Sequence, residues 1–481
     1  MAITGAINVT PAPTKDTPLA GAYIDFQTAT WAQQYLPDLM EKEAEVFGNR
    51  TISGFLQKVG AEEAMSADQV VWSEQGRLHL SYSAVTTNGT GAIKITRNAD
   101  GRGNGGANSD LTNHGVRAGD LVLVATTTAT IRAFVISVGA QTSTGTCTIQ
   151  IGKYASGDSY PANAAAVKVL VFGSEYVKGS VGRDSINEPG FKSLTNNPII
   201  IKDKYQVSGS DASQIGWVEV SGEDNQNGYL WYLKAQGDTR ARFGDYLEMA
   251  LIESVKRTDG DAAATQSGAQ GTMTGTEGLF AAMDARGNKS SGVTGVNAAT
   301  DLAEFDAILA EFDKQGAIEE NMMFVNRATS LAMDDMLASM NSYGAGGTSY
   351  GVFDNSEDMA MNLGFSGFRR GSYDFYKSDW KYLNDQSTRG IINDFDTTGA
   401  IRGIMVPAGT SSVYDQSLGK NIKRPFLHVR YRASKTESRK YKTWITDSVG
   451  AVTSDLDAMT VNYLSERCLI VQGANNFMMF N

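Results

Sequence analysis

The residues best suited to chemistry are few and scattered. Three histidines, His79, His114 and His428, and two cysteines, Cys147 and Cys468, are spread over 481 residues. No H-E-x-x-H occurs, so no two imidazoles are set one turn apart for zinc. Two cysteines make neither a disulfide framework nor a Cys-rich zinc site. No G-x-x-x-x-G-K-[ST] and no G-x-S-x-G is present. Ser, His and Asp all occur, but a triad is a matter of geometry. His79 and His428 fall in strand-like sequence and read as packing residues; His114 falls in a Gly/Asn turn. The cysteines sit within β runs and read as small buried hydrophobes. Asp334-Asp335 reads as a solvated helix face, and Tyr229, Trp231 and Tyr232 as packing or a subunit contact. No catalytic residue, cofactor-binding residue or metal ligand is assigned, and no cofactor is expected.

Three near-motifs fail on their own chemistry. Gly101-x-Gly103-x-x-Gly106, with Asp120 further on, approaches the dinucleotide fingerprint. That fingerprint needs a buried strand before it and a helix N-terminus after it, so that amides and dipole meet the pyrophosphate. Here Asn98-Ala99-Asp100 precedes and Asn108-Ser109-Asp110 follows, all turn residues, so the run reads as a loop. Glu223-x-Asn225-x-Asn227-Gly228 resembles the start of a calcium loop but ends on Lys234 where a bidentate Glu is required. Asp394-x-Asp396, with Gly399 at the turn position, ends on Met405. Both read as surface turns.

Composition narrows the class further. Lys and Arg number 42 against 53 Asp and Glu, a formal charge of −11. That balance argues against nucleic-acid binding as the main activity, since phosphate contacts need local basic excess. A charged fraction of 20% with 41% hydrophobic residues indicates a folded chain. The length suggests two to four folding units. No apolar run reaches the eighteen residues of a membrane span, and Met1-Ala2-Ile3-Thr4-Gly5 begins no signal peptide. Fifty-one glycines against nine prolines suggest Gly-rich turns between strands.

The elements that would position any site follow from periodicity. Residues 1–30, with Pro11, Pro13 and Pro18, read as an extended arm. Trp31, Tyr35, Leu36, Leu39 and Met40 open a short amphipathic helix over 31–47, and Ile52, Phe55, Leu56 and Val59 continue at helical spacing. From Val70 the period becomes two, and Leu78, Leu80 and Tyr82 alternate with polar residues. Between 85 and 172 short strand-like runs recur at 93–96, 121–124, 131–138, 146–151 and 167–172, separated by Gly/Asn/Ser/Thr clusters. That pattern predicts a small β-barrel or sandwich inserted into the chain. Strands are expected at 199–201 and 215–220. The strongest helix signal covers 229–257, where Phe243, Tyr246, Leu247, Ala250, Leu251 and Val255 recur at helical spacing. Lys256 and Arg257 are expected in its last turn and Gly260 as its stop. A loop with a short helix near 279–283 precedes an amphipathic helix on Leu302, Phe305, Ile308, Leu309 and Phe312, a strand at 322–325 and a helix at 331–340. Strands are expected at 426–432, 441–445, 459–463, 469–471 and 477–480. The central part reads as α/β or α+β.

This order of elements resembles the major capsid protein of tailed bacteriophages, with the Hong Kong 97-type capsid fold. Local stretches carry the likeness: TWAQQYLPDLMEKEAEVFGNRTISGF over 30–55, VWSEQGRLHL over 71–80, GIMVPAG over 403–409 and VQGANNF over 471–477. The resemblance implies an α+β fold with an N-terminal arm and first helix (1–56) and an extended loop (57–84 and 173–220). A small all-β domain is inserted at 85–172. The spine helix of the peripheral domain takes 221–260, the axial domain 261–408 and the returning peripheral strands 409–481.

The same resemblance implies a structural protein of the virion, not an enzyme. It would assemble in the host cytoplasm, with itself as partner, in hexamers and pentamers of an icosahedral shell. That shell encloses double-stranded DNA without sequence-specific binding. Scaffold, portal and decoration or head-fibre proteins are further partners of such shells; a membrane is not. Met1 at the start gives the expectation that no N-terminal scaffolding segment was removed. Other readings stay open: a tail tube or sheath protein, an encapsulin-like nanocompartment shell, or a carbohydrate-active hydrolase using paired carboxylates.

Overall fold

The computed structural model describes residues 56, 61–75, 79–98, 111, 113–139, 147–161, 167–183, 191–214, 230–258, 273–316, 318–340, 367–395, 399–408, 410–415, 420–450 and 452–481. The arm and first helix expected over 1–47, the Gly101–Gly106 run, the strand at 215–220, Glu223–Gly228, Tyr229 and Gly260 lie outside these residues. The fold is mixed α and β. The chain divides into two units, Met1–Trp72 with Thr195–Asn481, and Ser73–Leu194. Strand β1 (Ala61–Met65) belongs to the first. Strands β2 (Val70–Gln75) and β9 (Phe191–Asn196) pair as a two-stranded ribbon where the chain leaves and re-enters that unit.

Between the ribbon strands run β3 (Ser81–Thr87), β4 (Ala92–Asn98), β5 (Asp120–Ala125), β6 (Thr130–Val138), β7 (Cys147–Lys153) and β8 (Val167–Ser174). They close into an antiparallel barrel in the order β3-β4-β7-β6-β5-β8. Closure follows from alternation: successive side chains of a strand face opposite ways. One set on each strand is apolar, including Ile93, Ile95, Val122, Val124, Ile131, Val135, Ile149, Ile151, Val167 and Val169, all buried. A closed barrel also leaves no unpaired strand edge. Leu111 and Val116 join this core, and the Gly115 amide donates to the Tyr82 hydroxyl at 2.9 Å.

In the first unit, β10 (Ile199–Ser208) is followed by α1 (Gly209–Gln214), α2 (Leu230–Glu253) and α3 (Leu279–Arg286). Next come β11 (Asn288–Ser290), α4 (Ala298–Gln315), β12 (Glu320–Val325) and α5 (Arg327–Met340). Strands β13 (Gly367–Arg370) and β14 (Tyr373–Asp379) lead to short helices α6 (Lys381–Asn384) and α7 (Arg389–Phe395). The chain ends with β15 (Gly403–Pro407), the hairpin β16 (Thr410–Asp415) and β17 (Lys420–Pro425), β18 (Leu427–Arg432), β19 (Lys442–Thr446), β20 (Ala458–Val471) and β21 (Met478–Phe480).

Two sheets result. One is ordered β1-β18-β20-β10, with β19 also on β20; the other is β11-β21-β15-β12-β14-β13. Helix α2 packs Phe243 and Leu247 on Tyr205, Val207, Val461 and Tyr463 of the first sheet. Helices α4 and α5 cover one face of the second through Phe305, Phe312, Met333 and Met336. Helix α3 and the end of α2 lie in a shared core with Leu427, Leu469 and Val471 of the first sheet and Phe324, Ile404 and Val406 of the second. Strand β21, which the sequence groups with the peripheral strands of 409–481, pairs instead with β11 and β15 of the second sheet.

Several expectations need correction. Helix α2 ends at Glu253, so Val255, Lys256 and Arg257 lie beyond it. The cause is a competing pairing: the Gly278 amide bonds to Ser254 O at 2.7 Å and the Arg257 amide to Thr274 O at 3.1 Å. Only glycine fits at 278, where a Cβ would stand 2.7 Å from two main-chain oxygens. Lys256 serves Thr195, whose hydroxyl lies 2.8 Å from its Nζ, not a helix terminus. The two strands expected at 459–463 and 469–471 are one strand, β20. Its polar centre, Ser465-Glu466-Arg467, is buried and paired rather than looped out. His79 lies in an exposed bend before β3, not in a strand. Asp394 lies in α7, not in a turn.

Candidate assembly surfaces

Most of the chemistry-bearing residues described are buried or paired. Cys468 is buried in β20, and burial pushes its thiol up to about 12. His428 is buried in β18. His114 is buried beside the Tyr82 ring, centroids 6.2 Å apart, rather than in an open turn; burial brings its imidazole down to about 4. Asp120, fully buried, caps the Arg117 amide at 2.8 Å and pairs with Arg183 at 2.9 Å. Asp334 is not solvated: it forms an ion pair with Lys377, whose Nζ also donates to Ser330 O at 3.1 Å. Asp335 is the exposed member of the pair. Asp301 accepts from the Thr294 and Gly295 amides at 2.9 and 3.0 Å, fixing the turn in which Val293 holds φ 60°. Among the described residues no three His, Cys, Asp or Glu gather to hold a metal ion. No helix among them is long and apolar enough to cross a membrane.

What the structure does present is apolar surface on rigid elements. Helix α7 exposes Ile391 and Ile392 at 53% each and Phe395 at 93%. Arg389 and Asn393 fix it to the rest of the unit. Arg389 pairs with Glu253. The Asn393 side chain bonds both ways to Ile401, 2.9 Å to the carbonyl and 3.2 Å from the amide. Glu253 also accepts from the Tyr382 hydroxyl at 2.6 Å; burial first, then that bond, raises the phenol well above its ordinary range. A seven-residue helix, about two turns long, with apolar side chains outward has no stability of its own. Its anchors hold it in place.

The barrel is likewise uneven outside. Ile136, Tyr154, Leu170 and Phe172 are exposed. Phe134 and Tyr154 meet edge to face at 5.4 Å, and the Tyr154 hydroxyl bonds to Glu175. Where exposed apolar side chains are contiguous they mark interaction sites, which makes these residues candidates for contact. Periodicity could not single out these residues, because an exposed apolar position and a buried one look alike in sequence.

No family model matches the chain, and no curated protein matches it. Similar solved structures exist. One from Mycobacterium phage Ogopogo covers 95% of this chain and 99% of its own, at 10% identity and a TM-score of 0.36. One from Microbacterium phage Oxtober96 covers 95% and 99%, at 9% identity and a TM-score of 0.37. The asymmetric unit of the bacteriophage PhiM1 mature capsid covers 65% of this chain and 78% of its own, at 9% identity and a TM-score of 0.34. At such scores the likeness carries no functional conclusion.

Proposed function

We propose that this chain is the shell-forming subunit of a tailed bacteriophage head, assembling with copies of itself in hexamers and pentamers around packaged double-stranded DNA. The observation that carries the reading is the anchored helix α7. Three large apolar side chains stand in water on an element locked by Glu253 and Ile401. Leaving them exposed is costly for a monomer and useful to a self-assembling subunit. The capsid-like order of the sequence supplies the class of assembly.

In this reading the first sheet with α2 is the peripheral domain and α2 its spine helix. The second sheet with α4 and α5 is the axial domain, the ribbon β2–β9 belongs to the extended loop, and the barrel is an insertion at its tip. Repeated contacts between identical subunits are heterologous and close only when the rotation does, which gives rings of five and six. A formal charge of −11 suits a wall that encloses DNA without binding it. Sedimentation of the purified chain tests the reading. Species the size of rings or shells are expected, and the Ile391→Ser/Phe395→Ser variant is expected to remain monomeric. A wild-type chain that stays monomeric at every concentration, both alone and with any scaffold protein encoded beside it, overturns it.

A further inference from the structure

Two exposed apolar surfaces of this chain carry opposite charge. The first is α7. At 3.6 residues per turn, Ile391, Ile392 and Phe395 share one side of the helix within about 100°, and Asp394 borders that side. Asp394 is exposed, its carboxylate held by the Gln386 side chain. Arg389, the base of this helix, is tied to Glu253.

The second is the outer face of β6, β5 and β8. Strand β5 runs between the other two. Leu123 lies between Arg132 of β6 and Leu170 of β8, and Leu121 between Phe134 and Gly173. Their neighbours along each strand fill the barrel core, so these rows point outward. Leu170 and Phe172 are exposed there. Arg132 and Lys168 are exposed beside them, and neither pairs with a carboxylate among the described residues.

The sizes match. Three strands span roughly 10 Å across, the width of one helix, and seven helical residues rise about 10 Å. The charges decide the pairing. Residues 73–194 hold eleven Lys and Arg against eight Asp and Glu, in a chain that holds 42 against 53 overall. Two α7 helices in contact would set Asp394 against its own copy. Two barrel faces would set Arg132 and Lys168 against theirs. Like charges across a contact cost affinity, and opposite charges favour it.

We propose that α7 of one copy docks on the β6–β5–β8 face of a second copy. Ile391, Ile392 and Phe395 meet Leu170 and Phe172, with Asp394 toward Arg132 and Lys168. The contact is heterologous: every copy offers one helix and one face, so it repeats from copy to copy. It is small by the standard of stable interfaces, so the association is weak and concentration-dependent. The inference deepens the self-assembly reading and rests on it.

Sedimentation of two full-length variants tests it. Ile391→Ser/Phe395→Ser loses the helix surface and Leu170→Ser/Phe172→Ser the barrel surface. Each alone is expected to stay monomeric. An equal mixture is expected to form pairs of chains and nothing larger, since one intact helix and one intact face remain. Charge exchange at exposed residues gives a second test that spares the fold. Asp394→Lys should raise the concentration needed for assembly about ten-fold, and Arg132→Glu/Lys168→Glu added to the same chain should restore it. A barrel variant that assembles like wild type, a mixture that stays monomeric, or no recovery on charge exchange overturns the docking while wild-type assembly still stands. Pairs in the mixture, with a wild type that forms only open chains, uphold the docking and overturn the shell.

Discussion

Lys377 and Asp334 are 5% and 11% exposed at the side chain and bound to each other. The pairing neutralises both charges where water is largely excluded. Replacing one leaves a charge in an apolar setting, so Lys377→Met should lower unfolding stability in urea by about 3 kcal/mol. The double variant Lys377→Met/Asp334→Leu should recover most of that. His114 makes a pH-dependent contribution. Burial holds its imidazole at about 4, below the ordinary 6.5. Between those values the unfolded chain binds a proton that the folded chain refuses. Stability from this residue is therefore full above about pH 6.5 and is lost as pH falls toward about 4. Thermal unfolding of the intact chain over that window should show a shallower pH slope in His114→Gln than in wild type. Cys468 should resist alkylation in a Cys147→Ser background until the chain unfolds, because a buried thiol held at about 12 supplies no thiolate near neutrality.

Among the elements, β12 and β15 approach closely. A Cβ at Gly403 would stand 2.6 Å from Val325 Cγ1 and 2.8 Å from Phe324 O. Gly403→Ala should therefore cost roughly 1–3 kcal/mol in urea unfolding, through strain between two central strands. Strands β4–β8 were legible in sequence because each buries one face, and alternation reports that directly; β3, which begins at Ser81, falls partly in the stretch the sequence assigns to the extended loop. The unity of β20 was not. Glu466 and Arg467 look like a polar break until Arg432, Arg439 and Lys440 are seen beside them, and those partners lie far along the chain. The end of α2 is hidden from the sequence for a like reason. Lys256 and Arg257 suit a helix terminus locally, but Thr274 and Gly278 take the main chain away first. Strand β1 and helix α7 gave no signal, one being too charged and the other too short.

At the scale of the whole molecule, the order of elements was the most informative part of the sequence, and single motifs the least. The scarcity of histidine and cysteine was plain from composition, and in the structure Cys468, His114 and His428 are all buried. The surface proposed for assembly was not legible, since Ile391, Ile392 and Phe395 differ from core residues only in what lies over them. A residue 93% exposed contributes little to folding, so Phe395→Ser should change unfolding stability by less than about 0.5 kcal/mol. Loss of assembly in that variant would then be a surface effect. The most direct measurement is negative-stain electron microscopy of the purified, overexpressed wild-type chain, alone and with any scaffold protein encoded beside it. Closed shells, or rings of five and six, are predicted. Open tubes, or a monodisperse monomer under both conditions, would contradict the account.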